Sequence, residues 1–154
     1  MTRLLLAVLM LLAAVVACSP TTAADPTIVN TRAGAVRGHI DDEVRVFTAI
    51  PYAAPPVGPR RFTEPEPVEP WSDTRDATGP GVECPQPGAE SDLTQSEDCL
   101  VLNVTMPRHT QGKVPVLVWI HGGAFIAGNG VGYNARKLAV QGGIAVVTIN
   151  YRLG

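Results

Sequence analysis

The sequence predicts an α/β fold, with an antiparallel β start followed by a parallel β-α-β unit. Three observations predict it. Val114 to Ile120 and Ile144 to Ile149 are near-continuous apolar runs of strand length, the pattern of strands covered on both faces. Between them lie a glycine-rich loop and a short stretch with Ala135, Leu138 and Ala139 at helical spacing. Upstream, Ile28 to Ile50 alternates apolar and polar residues in short segments broken by turn residues.

The first segment is a leader rather than part of the fold. Arg3 supplies a positive charge, and Leu4 to Ala17 is an uninterrupted apolar run, shorter than the roughly 20 residues that span a bilayer. The run ends in Val15-Val16-Ala17-Cys18, which resembles a bacterial lipobox. A lipobox cysteine is diacylated and becomes the mature N-terminus, so Cys18 is the expected membrane anchor. Cleavage after Ala24, where Thr22-Ala23-Ala24 offers small residues, is the alternative. Both imply export, as a cell-envelope lipoprotein or by secretion. Residues 1–18 are thus read as leader, 19–26 as a polar tether, and 27–154 as one truncated domain.

Within that domain, Val29, Ala35-Val36-Arg37 and Val44-Arg45-Val46-Phe47 show strand alternation, with Gly34, Gly38 and Asp41-Asp42 as turn signals. Ile50 to Gly58 holds Pro51, Pro55 and Pro56, which fix φ and lack N–H donors, so it reads as a rigid extended loop. Pro65, Pro67 and Pro70 continue that character up to Trp71. Leu100 to Thr105 reads as a strand with Leu100, Leu102 and Val104 on one face.

Composition narrows the function. The formal net charge is −2 and the basic residues form no stripe or cluster, which excludes a nucleic-acid-binding footprint. Outside the leader, Cys84 and Cys99 are an even pair in an oxidising compartment and read as a disulfide; two free buried thiols are the alternative. Gly123 to Gly128 has the glycine spacing of a phosphate-cradling loop, but Asn129 stands where a lysine is required. His39, His109 and His121 are too scattered for a metal site.

Six motifs then converge: Phe47-Thr-Ala-Ile-Pro-Tyr-Ala53; Pro55-Pro-Val-Gly58 with Arg61-Phe62; Pro70-Trp71; Ser96-Glu-Asp-Cys-Leu-Val-Leu-Asn103; His121-Gly-Gly-Ala-Phe125; and Asn150-Tyr-Arg-Leu-Gly154. Together, and in this order, they make residues 27–154 resemble the N-terminal part of the type-B carboxylesterases. That branch of the α/β-hydrolases includes bacterial p-nitrobenzyl esterases and the cholinesterases. The resemblance implies hydrolysis of a small carboxylic ester through an acyl-serine intermediate, with no cofactor or metal.

The resemblance also assigns roles. The backbone N–H groups of Gly123 and Ala124 would stabilise the oxyanion of acyl transfer, and His121 and Gly122 would shape that loop. Arg61 and Glu97 would form a structural ion pair. None of the four serines, Ser19, Ser72, Ser91 and Ser96, sits in Gly-x-Ser-x-Gly. Nucleophile, acid and base are therefore expected downstream of Gly154, and the 154 residues alone are expected to be inactive and prone to aggregate. Two alternatives come from other classes: a non-catalytic binding or adhesion member of the same fold, and a non-functional truncated remnant.

Overall fold

The structure, a computed structural model, describes residues 25–88 and 91–154. The leader, Cys18 and the tether up to residue 24 lie outside the described residues. Among the described residues, ten strands and one α-helix follow in chain order. They are β1 (Ile28–Asn30), β2 (Ala35–Arg37), β3 (His39–Asp41), β4 (Val44–Pro51), β5 (Arg75–Asp76), β6 (Val82–Glu83), β7 (Thr94–Gln95), β8 (Val101–Pro107), β9 (Val116–Ile120), α1 (Arg136–Gly142) and β10 (Ala145–Ile149).

The main sheet has the order β3-β4-β8-β10-β9. It is antiparallel from β3 to β10 and parallel only between β10 and β9, where Ala145 faces Val116 and Ile149 faces Ile120. The parallel pair needs a crossover, and the segment through α1 supplies it. β3 and β4 are joined by a tight turn in which Asp42 takes φ 56°, a left-handed conformation that aspartate tolerates well. Between Phe47 and Ile50, β4 carries one more residue than β8, a bulge with Ala49 at φ 58°. The backbone N–H groups freed there find partners: Thr48 N–H donates to the Ala77 carbonyl at 2.8 Å and Ala49 N–H to Asn103 Oδ1 at 2.9 Å.

Two apolar clusters hold the layers together. On one face, Val44 and Val146 meet Ala135 and Ala139 of the helical segment, with Val46, Leu117, Val140 and Ile144 around them. On the other, Phe47 meets Val36 of β2 and Ala77 just after β5, with Trp71 and Val104 at the rim. Trp71 closes the β1–β2 hairpin: its Nε1–H donates to the Ala35 carbonyl at 2.8 Å, and its backbone N–H to Ala33 at 2.7 Å. The indole occupies the space where a side chain at Gly34 would stand, so that turn requires glycine. α1 ends at Gly143, φ 59°, with the Ile144 N–H reaching back to the Ala139 carbonyl.

Three expectations are corrected. The apolar run at Val114 starts its strand only at Val116. β9 is the outermost strand of this sheet among the described residues, and Val116, Val118, Trp119 and Ile120 are 43–63% exposed, the open apolar edge that makes a chain prone to aggregate. An apolar run records how a strand can be covered, while its neighbours decide whether it is. Leu138 lies on the exposed side of α1, while Ala135 and Ala139 are buried against the sheet with Val140 packed beside them. In β8 the most buried positions are Val101 and Asn103 rather than Leu102 and Val104, because Asn103 turns into a polar network below the glycine loop.

Candidate oxyanion site

The candidate site is the loop that leaves the C-terminal end of β9. Gly123, Ala124 and Phe125 take φ of 122°, 53° and 61° in succession. At Gly123 a Cβ would stand 1.7 Å from the Ala127 carbonyl oxygen, so no side chain fits. The turn closes on the Gly123 carbonyl, which accepts from the Ile126 and Ala127 N–H groups at 2.9 and 3.1 Å. In a trans peptide the C=O and the following N–H point in opposite directions. The Ala124 N–H therefore faces away from the turn. By the same rule the Gly123 N–H faces away from His121, because the Gly122 carbonyl lies 2.8 Å from His121 Nδ1. Neither N–H donates to another group among the described residues, and both residues are exposed. Two adjacent, unspent donors on a hydrogen-bonded turn are groups of the kind that stabilise a developing oxyanion.

The loop is held from below. The His121 ring is buried, stacks on Tyr151 at 4.2 Å, and its Nδ1–H donates to the Gly122 carbonyl, which leaves Nε2 as an acceptor with no partner among the described residues. Tyr151 in turn donates its hydroxyl to the His121 carbonyl at 2.6 Å, and its ring meets the edge of Phe125. The Gly154 N–H binds the Phe125 carbonyl at 2.9 Å. These contacts tie the His121 ring and carbonyl to the base of the loop.

Further along, Gly128 donates its N–H to Gln86 Oε1 and accepts from Gln86 Nε2 at its carbonyl. Asn129 donates to the carboxylate of Glu83, which is 1% exposed and also takes a bond from Gln95. Asn150 accepts from the Gly130 N–H at 2.8 Å and donates to the Val82 carbonyl at 2.8 Å, while Asn103 and Thr148 both bind the Gly130 carbonyl. Tyr52 donates to the Asn150 carbonyl at 2.7 Å, and burial pushes its phenol pKa up, so the hydroxyl stays a donor. None of the buried side-chain atoms of Glu83, Asn103, Thr148 and Asn150 is left without a partner, in contrast to His121 Nε2.

Sequence reasoning did not find Glu83, Gln86 or Asn129, which follow no period or spacing. Asn103 did carry a signal: a polar residue inside an apolar strand needs a partner.

The other predicted residues lie beside this network. Cys84 and Cys99 form a disulfide across a sequence separation of 15, next to the β6–β7 pair. Arg61 Nε sits 2.9 Å from Glu97 Oε1, with both side chains about half exposed, so the pair fixes geometry more than it stabilises. A cleft of about 390 Å³ runs between them, lined by Phe62, Cys84, Cys99 and Arg152, and it does not include Gly123 or Ala124. Ser96 Oγ is occupied in a local turn with the Asp98 N–H. No group of three His, Cys, Asp or Glu converges among the described residues.

A sheet that turns from antiparallel to parallel, with unspent loop amides beyond the end of a parallel strand, defines the N-terminal portion of an α/β-hydrolase fold. Residues 25–154 match the family described as the carboxylesterase family, and the chain belongs to it. It is 50% identical over 135 residues to the para-nitrobenzyl esterase of Bacillus subtilis (strain 168), covering 82% of this chain and 28% of that protein. It is 41% identical over 160 residues to carboxylesterase 3 of Homo sapiens, covering 88% and 28%. Among solved structures, a thermophilic PNB esterase superposes with a TM-score of 0.80 at 48% identity, covering 84% of this chain and 29% of that one. A carboxylesterase of Geobacillus stearothermophilus gives 0.76 at 46%, covering 83% and 26%. The chain thus spans a little over a quarter of the length of the curated relatives it matches.

Proposed function

We propose that this chain is the oxyanion-binding part of a serine carboxylesterase acting on small carboxylic esters. The observation that carries the reading is the pair of unspent donors at Gly123 and Ala124. When a serine attacks an ester carbonyl, the oxygen gains negative charge, and N–H groups about 3 Å away stabilise it. Losing one such donor costs about 3 kcal/mol of barrier, a factor of about 10²–10³ in rate. The nucleophile, its histidine base and the orienting acid are assigned to residues outside this chain. The 154 residues then bind charge but cannot form the acyl-enzyme. Export, with acylation at Cys18, belongs to the same proposal. Intact-mass analysis of membrane-extracted protein should show a diacylglyceryl cysteine at the N-terminus, and a mature start at Asp25 would remove the anchor.

The test is a hybrid in which residues 25–154 replace the matching segment of the Bacillus subtilis para-nitrobenzyl esterase. The hybrid should hydrolyse a p-nitrobenzyl ester. The unmodified chain should show no turnover and no labelling of Ser72, Ser91 or Ser96 by a serine-directed organophosphate. A folded hybrid without activity, or robust turnover by the chain itself, would refute the proposal.

A further inference from the structure

We infer that Gln86 is a positioning residue for the oxyanion loop, an inference that rests on the esterase reading above. Its side-chain amide grips one residue, Gly128, from both sides: Oε1 accepts the Gly128 N–H at 2.7 Å, and Nε2 donates to the Gly128 carbonyl at 3.2 Å. Gly128 is where the loop turns back, at φ 122°. It stands so close to His121 and Gly122 that a Cβ on it would meet His121 Nδ1 at 2.4 Å and the Gly122 carbonyl oxygen at 2.6 Å. Holding Gly128 therefore holds the Gly122 carbonyl against His121, and the direction of that carbonyl sets the direction of the Gly123 N–H.

The clamp is itself anchored. Gln86 Nε2 also donates to the Cys84 carbonyl at 3.2 Å, and Cys84 is bonded to Cys99. The Gln86 backbone is gripped by Gln95, which accepts its N–H and donates to its carbonyl, both at 3.2 Å. Gln95 also donates to the buried Glu83, whose other oxygen holds Asn129, the residue after Gly128. The disulfide segment and the oxyanion loop are thus joined at two adjacent residues, Gly128 through the Gln86 amide and Asn129 through Glu83, with no contact between the disulfide and the Gly123 or Ala124 donors required.

The test is hydrogen–deuterium exchange on the full chain. The Ile126 and Ala127 amides bind the Gly123 carbonyl and touch Gln86 nowhere in the hydrogen-bond network. In Gln86→Met both clamp bonds are lost, and these two amides should exchange on the order of tenfold faster. Amides of β4 and β8 should keep their wild-type rates. Gln86→Glu keeps the acceptor for the Gly128 N–H and should fall between the two. If Gln86→Met unfolds the sheet as well, Gln86→Glu decides alone. Faster exchange confined to the Gly128 amide, with Ile126 and Ala127 unchanged in both variants, would overturn the inference. In the hybrid esterase, Gln86→Met should lower kcat with KM held. A loosened loop with unchanged kcat would leave the clamp standing and remove the oxyanion assignment instead.

Discussion

Gly123→Ala is the substitution with the largest expected consequence for its size. The added methyl would stand 1.7 Å from the Ala127 carbonyl oxygen and 2.7 Å from its carbon, both backbone atoms that no rotamer change can move aside. The residue would also have to hold φ 122°, which costs an L-residue about 1–3 kcal/mol. The turn must therefore open. The Ile126 and Ala127 bonds to the Gly123 carbonyl go with it, at about 1 kcal/mol each. The summed cost, about 3–5 kcal/mol, exceeds what a local turn can retain, while the sheet below shares none of these contacts. The neighbouring Gly122 supplies the control: a Cβ there meets nothing within 4 Å, and its φ is not positive. Exchange of the Ile126 and Ala127 amides in the chain should rise steeply in Gly123→Ala and stay unchanged in Gly122→Ala. In the hybrid esterase, Gly123→Ala should lower kcat at least about 10²–10³-fold, because displaced donors no longer meet the oxyanion. Wild-type exchange and activity in Gly123→Ala, or equal damage from both substitutions, would refute the reasoning.

Other outcomes can be checked separately. Alkylation of the denatured, unreduced chain should label neither Cys84 nor Cys99, and reduction should cost about 3 kcal/mol in a denaturant titration, the loop-closure value for a separation of 15. Val118→Lys should raise solubility in light scattering without changing the circular dichroism, since Val118 is 57% exposed on the outermost strand and a charge there discourages edge pairing. The hydrogen bond from Arg136 holds the Asp41 carboxyl below its ordinary value. A depressed folded-state pKa stabilises above the unfolded value of about 4 and is lost as pH falls through the folded one, so melting below about pH 4 should drop more for wild type than for Arg136→Met. An equal acid dependence in the two proteins would remove Asp41 from the account.

The sequence by itself determined the strands of the main sheet and the place of the glycine loop, but not the short strands β5, β6 and β7. Alternation around Val44 to Phe47 gave β4, the apolar run at Ile144 gave β10, and His121-Gly-Gly-Ala-Phe125 marked the loop, because periodicity and glycine placement are local properties of the chain. Only the tertiary structure decided which donors are free. Whether Gly123 and Ala124 spend their N–H groups depends on where the Gly122 and Gly123 carbonyls point, and that is set by His121, Ile126 and Ala127 in three dimensions. Gln86 and Glu83 reach the loop from more than 40 residues away, through single side-chain bonds that leave no pattern in the sequence. The strand partners of β9 were decided there too: its apolar run says that a strand forms, but that it pairs in parallel with β10 at the end of the sheet is a property of the fold, not of the strand.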